Sequence, residues 1–61
     1  MLVNGKERQL ETNMSLADFL KQEGYRQDMV AVECNGRIIK RNLYATTLLD
    51  NTTTLEVVSF V

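Results

Sequence analysis

The chain has 61 residues, 44% of them hydrophobic, and its seven basic and eight acidic residues leave a net charge of −1 at pH 7. A domain of this length has a thin core and leaves no room for the deep cleft in which enzymes exclude water. The charge balance favours neither nucleic acid nor an anionic membrane as a partner, and no apolar stretch reaches membrane-spanning length. We predict a single domain over residues 1–61, located in the cytoplasm because the N-terminus has no signal-peptide pattern.

The first predicted element is a hairpin. A short apolar segment over residues 1–3 ends at Asn4-Gly5. Asn-Gly is the preferred pair for a two-residue type I′ turn, because both positions require positive φ. The returning segment, residues 6–10, is mostly polar. We therefore predict that this second strand lies at a sheet edge.

The second predicted element is a helix that begins after Ser15. Ser15 can accept hydrogen bonds from the free N–H groups of the first turn, and Asp18 follows three residues later, as in a capping box. Gly24 is suited to end the helix in the left-handed conformation. Glu23 lies in the middle of the apolar stripe, and we expect its carboxylate to reach solvent. One helix face is apolar at the spacing i, i+3, i+4 and consists of Leu16, Phe19 and Leu20.

The second half of the chain predicts more sheet. Residues 28–40 indicate another hairpin that turns at Asn35-Gly36, residues 41–54 are predicted to be irregular, and residues 55–61 form the last strand. One amphipathic helix must bury its stripe against one face of such a sheet. We predict an α+β chain with the β-grasp, or ubiquitin-like, fold: a mixed sheet of four to five strands with one helix across one face.

The last strand indicates which surface a partner would bind. Alternation along a strand places Leu55 and Val57 on one face and Glu56 on the other. Because an unpaired buried carboxylate is costly, Glu56 should face away from the helix, and its apolar neighbours of the same parity should then be exposed. The predicted partner-binding residues are Val58 and Phe60, which share the parity of Glu56, together with Val61 at the end of the sequence.

The side chains predict no active site. The chain has one cysteine, Cys34, and no histidine, so it lacks both a metal-ligand set and a base that could activate a thiol. Cys34 has the parity of Val30 and Val32, the predicted core residues of its strand, which favours a buried structural thiol. Tyr25 and Tyr44 are predicted to be partly buried packing residues. We therefore expect no catalytic, cofactor-binding or metal-binding residues, and a protein that is not an enzyme.

Four fragments in order carry a family resemblance: VNG at residues 3–5, SLADFL at 15–20, VAVECNG at 30–36 and LEVVSFV at 55–61. Together they resemble the ThiS family, the sulfur carriers of thiamine biosynthesis. The resemblance implies a C-terminal Gly-Gly whose carboxylate is adenylated with ATP by an E1-like, ThiF-like adenylyltransferase. Sulfur then replaces AMP, and the thiocarboxylate supplies a ThiG-like thiazole synthase. Such a carrier is a substrate of its partners.

The chain departs from the family pattern at two turns, with IKR at residues 39–41 and DNT at residues 50–52. A larger departure is the absence of Gly-Gly after Val61, where we expect the natural chain to continue into it. Two alternatives stay open at this point. One is a carrier like the small subunit of molybdopterin synthase, and the other is a tail-less β-grasp module for protein interactions.

Overall fold

The computed structural model describes residues 1–60, and within them five strands form one mixed sheet. The strands of this sheet are β1 (Leu2–Val3), β2 (Lys6–Glu7), β4 (Val30–Cys34), β5 (Arg37–Ile39) and β7 (Thr54–Ser59). Their spatial order is β2-β1-β7-β4-β5, with β1 parallel to β7 and the other pairs antiparallel. The polar strand β2 therefore lies at an edge, as predicted.

One α-helix, α1 (Leu16–Gln22), buries its apolar side against this sheet. The strand just before the helix, β3 (Met14–Ser15), pairs antiparallel with β6 (Leu48–Leu49) and forms a second sheet of two strands. Two 3-10 helices connect the remaining elements, at Gln27–Met29 and Arg41–Leu43. This arrangement confirms the predicted β-grasp fold.

Both hairpins turn where the Asn-Gly pairs predicted. Asn4 and Gly5 have φ angles of 52° and 81°, and Asn35 and Gly36 have φ angles of 53° and 82°. Two successive residues of positive φ are the signature of a type I′ turn, whose twist matches that of the flanking strands. The four residues thus determine where the chain reverses in β1–β2 and β4–β5.

Both ends of α1 follow local chemistry. The backbone N–H of Asp18 donates to the Ser15 hydroxyl oxygen at 3.0 Å, which confirms Ser15 as the N-cap. At the other end Gly24 adopts a φ of 82°, and the N–H of Tyr25 donates to the Leu20 carbonyl at 2.9 Å. This hydrogen bond across a left-handed residue is the Schellman arrangement that terminates helices.

The core confirms the predicted inward faces and includes four buried apolar residues outside them. All seven predicted core residues are buried: Leu16, Phe19, Leu20, Val30, Val32, Leu55 and Val57. The additional buried apolar residues are Met1, Leu10, Tyr44 and Leu49. Tyr44 was predicted to be partly buried, but it is fully enclosed.

The prediction that residues 41–54 are irregular was wrong in part. They contain the 3-10 helix Arg41–Leu43 and strand β6, which pairs antiparallel with β3. Pairing gives the two leucines of β6 opposite environments, because alternate side chains of a strand point to opposite faces. Leu49 is wholly buried, whereas Leu48 is 66% exposed.

The expectation that the Glu23 carboxylate reaches solvent was also wrong in part. Its side chain is only 23% exposed, and both carboxylate oxygens accept hydrogen bonds from the Arg8 guanidinium, at 2.5 and 3.0 Å. The same guanidinium lies 5.6 Å from the centroid of the Phe19 ring. These hydrogen bonds lower the pKa of Glu23, against a smaller opposing effect of burial. The ion pair thus covers part of the apolar stripe near the C-terminal end of α1.

A Glu23→Gln variant should test this pair by its pH dependence. Because folding lowers the pKa of Glu23 below its ordinary value of 4.5, its contribution to stability is present above that value and is lost as the pH falls through the folded-state pKa. The pair is partly exposed, so we expect the variant to lose only about 0.5–1 kcal/mol at neutral pH. Urea denaturation should show this deficit at pH 7 and its disappearance in acid.

The matched control is Glu11→Gln, which removes an exposed carboxylate. Its free energy of unfolding should follow that of the wild type at every pH. A Glu23→Gln deficit that is the same at pH 7 and in acid would contradict a stabilising ion pair.

Candidate partner-binding face

The sheet leaves one of its faces uncovered. Strand β7 lies between β1 and β4, and its register with β4 pairs Val58 with Ala31 and Glu56 with Glu33. Because Leu55 and Val57 point to the core, their neighbours along the strand point away from α1. We call the resulting surface the open face, and it consists of Ala31, Glu33, Ile38, Glu56, Val58 and Phe60.

The open face is apolar for much of its extent. Val58 is 58% exposed and Phe60 is 57% exposed, as the parity of the last strand predicted. Val61, the third predicted partner-binding residue, lies outside the described residues. Large exposed apolar side chains that share one surface are typical of an interaction site, whereas single ones are common on any protein.

Ile38 belongs to this surface and was missed in the sequence. It is 79% exposed, and it pairs with Glu33 across β4 and β5. Its neighbour Ile39 is partly buried and packs against the core. Consecutive strand residues point to opposite faces, so two successive isoleucines could not both be buried by one helix layer. Applying that rule to β5 would have found Ile38.

The asparagines of both hairpin turns form side-chain hydrogen bonds to the backbone of the central strand, β7. The Asn4 amide donates to the Val57 carbonyl at 3.2 Å, and its oxygen accepts from the Val57 N–H at 2.7 Å. The Asn35 oxygen accepts from the Thr54 N–H at 2.9 Å. Each asparagine therefore has two tasks, since it adopts positive φ and also bonds to β7. The open-face residues of β7 are positioned by these contacts.

The end of β7 is still attached to the sheet at the last described residue. The N–H of Phe60 donates to the carbonyl of Met29 at 2.8 Å. The backbone of Phe60 is thus held beside the start of β4 while its side chain remains more than half exposed. This contact holds the last described residue against the sheet, next to the open face.

Cys34 is less buried than its parity predicted. It is partly exposed and packs against the edge of the core, at the last position of β4. Burial raises the pKa of its thiol, and the nearby Asp50 carboxylate raises it further. Both effects disfavour the thiolate, which is the nucleophilic form. The environment of Cys34 is therefore that of an unreactive thiol.

Other kinds of site find no support in the part of the chain that the structure describes. Within residues 1–60, histidine, cysteine and acidic side chains form no group of three that could hold a metal ion. No helix among these residues is long and apolar enough to cross a membrane. The depressions of the surface are shallow, and one of them lies on the open face between Ala31, Ile38 and Val58.

Comparison with known proteins assigns the chain to a family. The model of the ThiS family matches residues 1–61. The chain belongs to the ThiS family. Members of this family are small sulfur carrier proteins and not catalysts. No curated protein matches this chain.

Solved structures agree with the fold of a ThiS protein. One is the crystal structure of the thiamine biosynthesis protein (ThiS) from Geobacter metallireducens, with a TM-score of 0.84, covering 98% of this chain and 91% of that chain. An NMR structure of a thiamine biosynthesis protein from the same organism has a TM-score of 0.82 and covers 98% of this chain and 81% of that chain. Both are 22% identical to this chain, so the likeness establishes a shared fold.

Proposed function

We propose that this chain is a sulfur carrier of thiamine biosynthesis whose C-terminus, extended by Gly-Gly, is the carrier group. The observation that supports this role best is the match of the ThiS family model to all 61 residues. The same match favours the thiamine pathway over the alternative of a molybdopterin-synthase subunit. In this role the chain is a substrate, and an ATP-dependent, ThiF-like adenylyltransferase acts on it.

The proposed chemistry takes place at the terminal carboxylate. A carboxylate oxygen attacks the α-phosphorus of ATP and expels pyrophosphate, which leaves an acyl-adenylate. A hydrosulfide ion then attacks the acyl carbon and expels AMP, and loss of the remaining S–H proton leaves a thiocarboxylate. A ThiG-like thiazole synthase would take its sulfur from that group. Glycine suits the tail because a chain without Cβ atoms passes through a narrow channel and approaches reactive groups closely.

The position of Phe60 supports the proposal that this chemistry takes place on a tail. Its backbone N–H is hydrogen-bonded to Met29, so the chain is attached to the sheet until that residue. Each further residue can extend the reach of the chain by at most about 3.6 Å. Two added glycines therefore extend the carboxylate by about 7 Å from the sheet, towards a buried adenylation site.

The proposed docking surface is the open face, with Val58 and Phe60 nearest the tail, and Val61 adjoins it in sequence. A partner that covers Val58 and Phe60 buries two large apolar side chains and is then next to the point at which the chain leaves the sheet. Buried aromatic side chains often carry much of the binding energy at protein interfaces. Docking and delivery of the carboxylate would thus use adjacent parts of one surface.

A Phe60→Asp variant of the Gly-Gly-extended chain tests this assignment. We expect an increase of at least about ten-fold in the dissociation constant for a ThiF-like enzyme, because the substitution removes an apolar anchor and places a charge in the interface. Adenylation should slow in proportion when the concentration of the chain is well below KM. The measurements are isothermal titration calorimetry and the rate of pyrophosphate release.

The control is Leu48→Asp, which introduces the same charge at an exposed apolar residue of the other sheet. It should bind the enzyme as the wild type does. Both variants should keep the wild-type circular dichroism spectrum, because neither side chain belongs to the core. Equal binding by Phe60→Asp and the wild type would show that the enzyme docks elsewhere.

A further inference from the structure

Two carboxylates face each other at the centre of the open face. The register of β4 and β7 makes Glu33 and Glu56 direct cross-strand partners, and both side chains are exposed. The Cβ atoms of such a pair are about 4.5–5.5 Å apart, and like charges in this arrangement destabilise a sheet. The pair therefore has a cost for the free protein and no local structural benefit.

Neither carboxylate forms an ion pair in the described part of the chain. The ion pairs within residues 1–60 are Arg8–Glu23 and Arg26–Asp28, and neither includes Glu33 or Glu56. Of the basic residues in and next to β5, Arg37 pairs with Cys34 and has the opposite parity to Ile38, whereas Lys40 has the parity of Ile38 but reaches neither glutamate. Two negative charges are thus left facing outward from the sheet.

The surroundings of the two carboxylates are apolar. Ile38 pairs with Glu33 from β5, and Val58 follows Glu56 on the same face of β7. Ala31, opposite Val58, is small, and a shallow depression lies among these residues. A surface of this kind complements a long alkyl stem that ends in a positive charge, because the stem can lie on apolar atoms while the charge meets the carboxylates.

We propose that the open face binds a protein surface that presents an arginine or lysine side chain between Glu33 and Glu56, with apolar atoms of the same partner packed on Ile38 and Val58. The inference rests on the proposed function and adds the chemistry of the partner surface, which is basic at its centre and apolar around it. A protein side chain is a better match than a metal ion, since the histidine, cysteine and acidic side chains of residues 1–60 form no group of three that could hold an ion. Charge complementarity also speeds encounter and excludes partners with an acidic surface.

The test compares a Glu33→Gln/Glu56→Gln double variant with the wild type, both extended by Gly-Gly, as substrates of a purified ThiF-like adenylyltransferase. We expect kcat/KM for adenylation to fall by about ten-fold at low ionic strength, and we expect this fall to come from an increase in KM. Added NaCl should lower kcat/KM of the wild type and should affect the double variant much less. Thermal unfolding should show a higher Tm for the double variant, since it removes the like-charge contact.

A single Glu33→Lys variant separates binding from folding. Its ammonium can pair with Glu56 across the strands, so its Tm should rise above that of the wild type. Its KM should nevertheless increase by more than that of the double glutamine variant, because a positive charge now opposes the partner's basic side chain. A purely structural role of the two glutamates would not produce a more stable protein that binds less well.

The control is Glu11→Gln/Asp18→Asn, which removes two exposed negative charges that do not belong to the open face. Its KM should equal that of the wild type. A KM that is unchanged in the double glutamine variant, or raised equally in the control, would overturn the inference while leaving the carrier function intact. If the wild-type extended chain is not adenylated at all, the proposed function fails first, and the inference fails with it.

Discussion

Replacing Leu20 by alanine is expected to lower the free energy of unfolding by about 2–5 kcal/mol. Leu20 is wholly buried, on the face of α1 that packs on the sheet. Truncation removes apolar contacts and leaves a cavity that the surrounding strands can fill only in part. Small domains have a stability of only about 5 kcal/mol or somewhat more, so a large part of the variant should be unfolded at 37 °C.

Two further variants calibrate this result. Val57→Ala removes a smaller buried side chain from β7 and should cost about 1–3 kcal/mol. Lys21→Ala, next to Leu20 on the exposed side of the same helix, should change stability by less than about 0.5 kcal/mol. Urea denaturation followed by circular dichroism measures all three. Near-neutral effects of Leu20→Ala and Val57→Ala would show that the inward faces are assigned wrongly.

The elements that could be predicted from the sequence are those determined by neighbouring residues. Asn4-Gly5 and Asn35-Gly36 require positive φ in succession, and Gly24 can end a helix where other residues are strained. The N-cap at Ser15 needs only a hydroxyl close to free N–H groups. Each of these predictions depends on fewer than about five consecutive residues, and each is confirmed.

The features that could not be predicted depend on contacts between distant parts of the chain. Residues 41–54 carry no clear alternation, so nothing local indicates that Leu49 is buried or that β6 pairs with β3. The pairing of Glu23 with Arg8 likewise depends on how the first hairpin packs beside α1. Glu23 interrupts the apolar stripe, but an interruption alone does not identify the cation that compensates it.

The candidate site was predicted in part. Because burying the Glu56 carboxylate is costly, the face of β7 that carries Glu56 was expected to be exposed. Val58 and Phe60 share that parity and are exposed, as this argument predicted. The contribution of β4 and β5 required the register between strands, which no single strand specifies. For that reason Ile38 and the opposition of Glu33 to Glu56 became visible only in the assembled sheet.

The tail should decide whether the chain can carry sulfur. We expect the chain that ends at residue 61 to fold normally yet to remain inert with ATP and a ThiF-like enzyme, since the hydrogen bond from Phe60 to Met29 holds the backbone one residue earlier. The same chain extended by Gly-Gly should become a substrate, because its carboxylate then reaches about 7 Å further from the sheet. Circular dichroism and Tm should be the same for both forms.

Intact-protein mass spectrometry of the extended chain, incubated with ATP, a ThiF-like enzyme and a sulfur donor, tests the carrier role most directly. We expect an acyl-adenylate when the donor is omitted, and with the donor the mass of a product in which one sulfur has replaced one oxygen. A second ThiS-family carrier in the same reaction serves as the positive control for the enzyme. An extended chain that keeps its free carboxylate while the control is converted would contradict the carrier role and favour a tail-less interaction module.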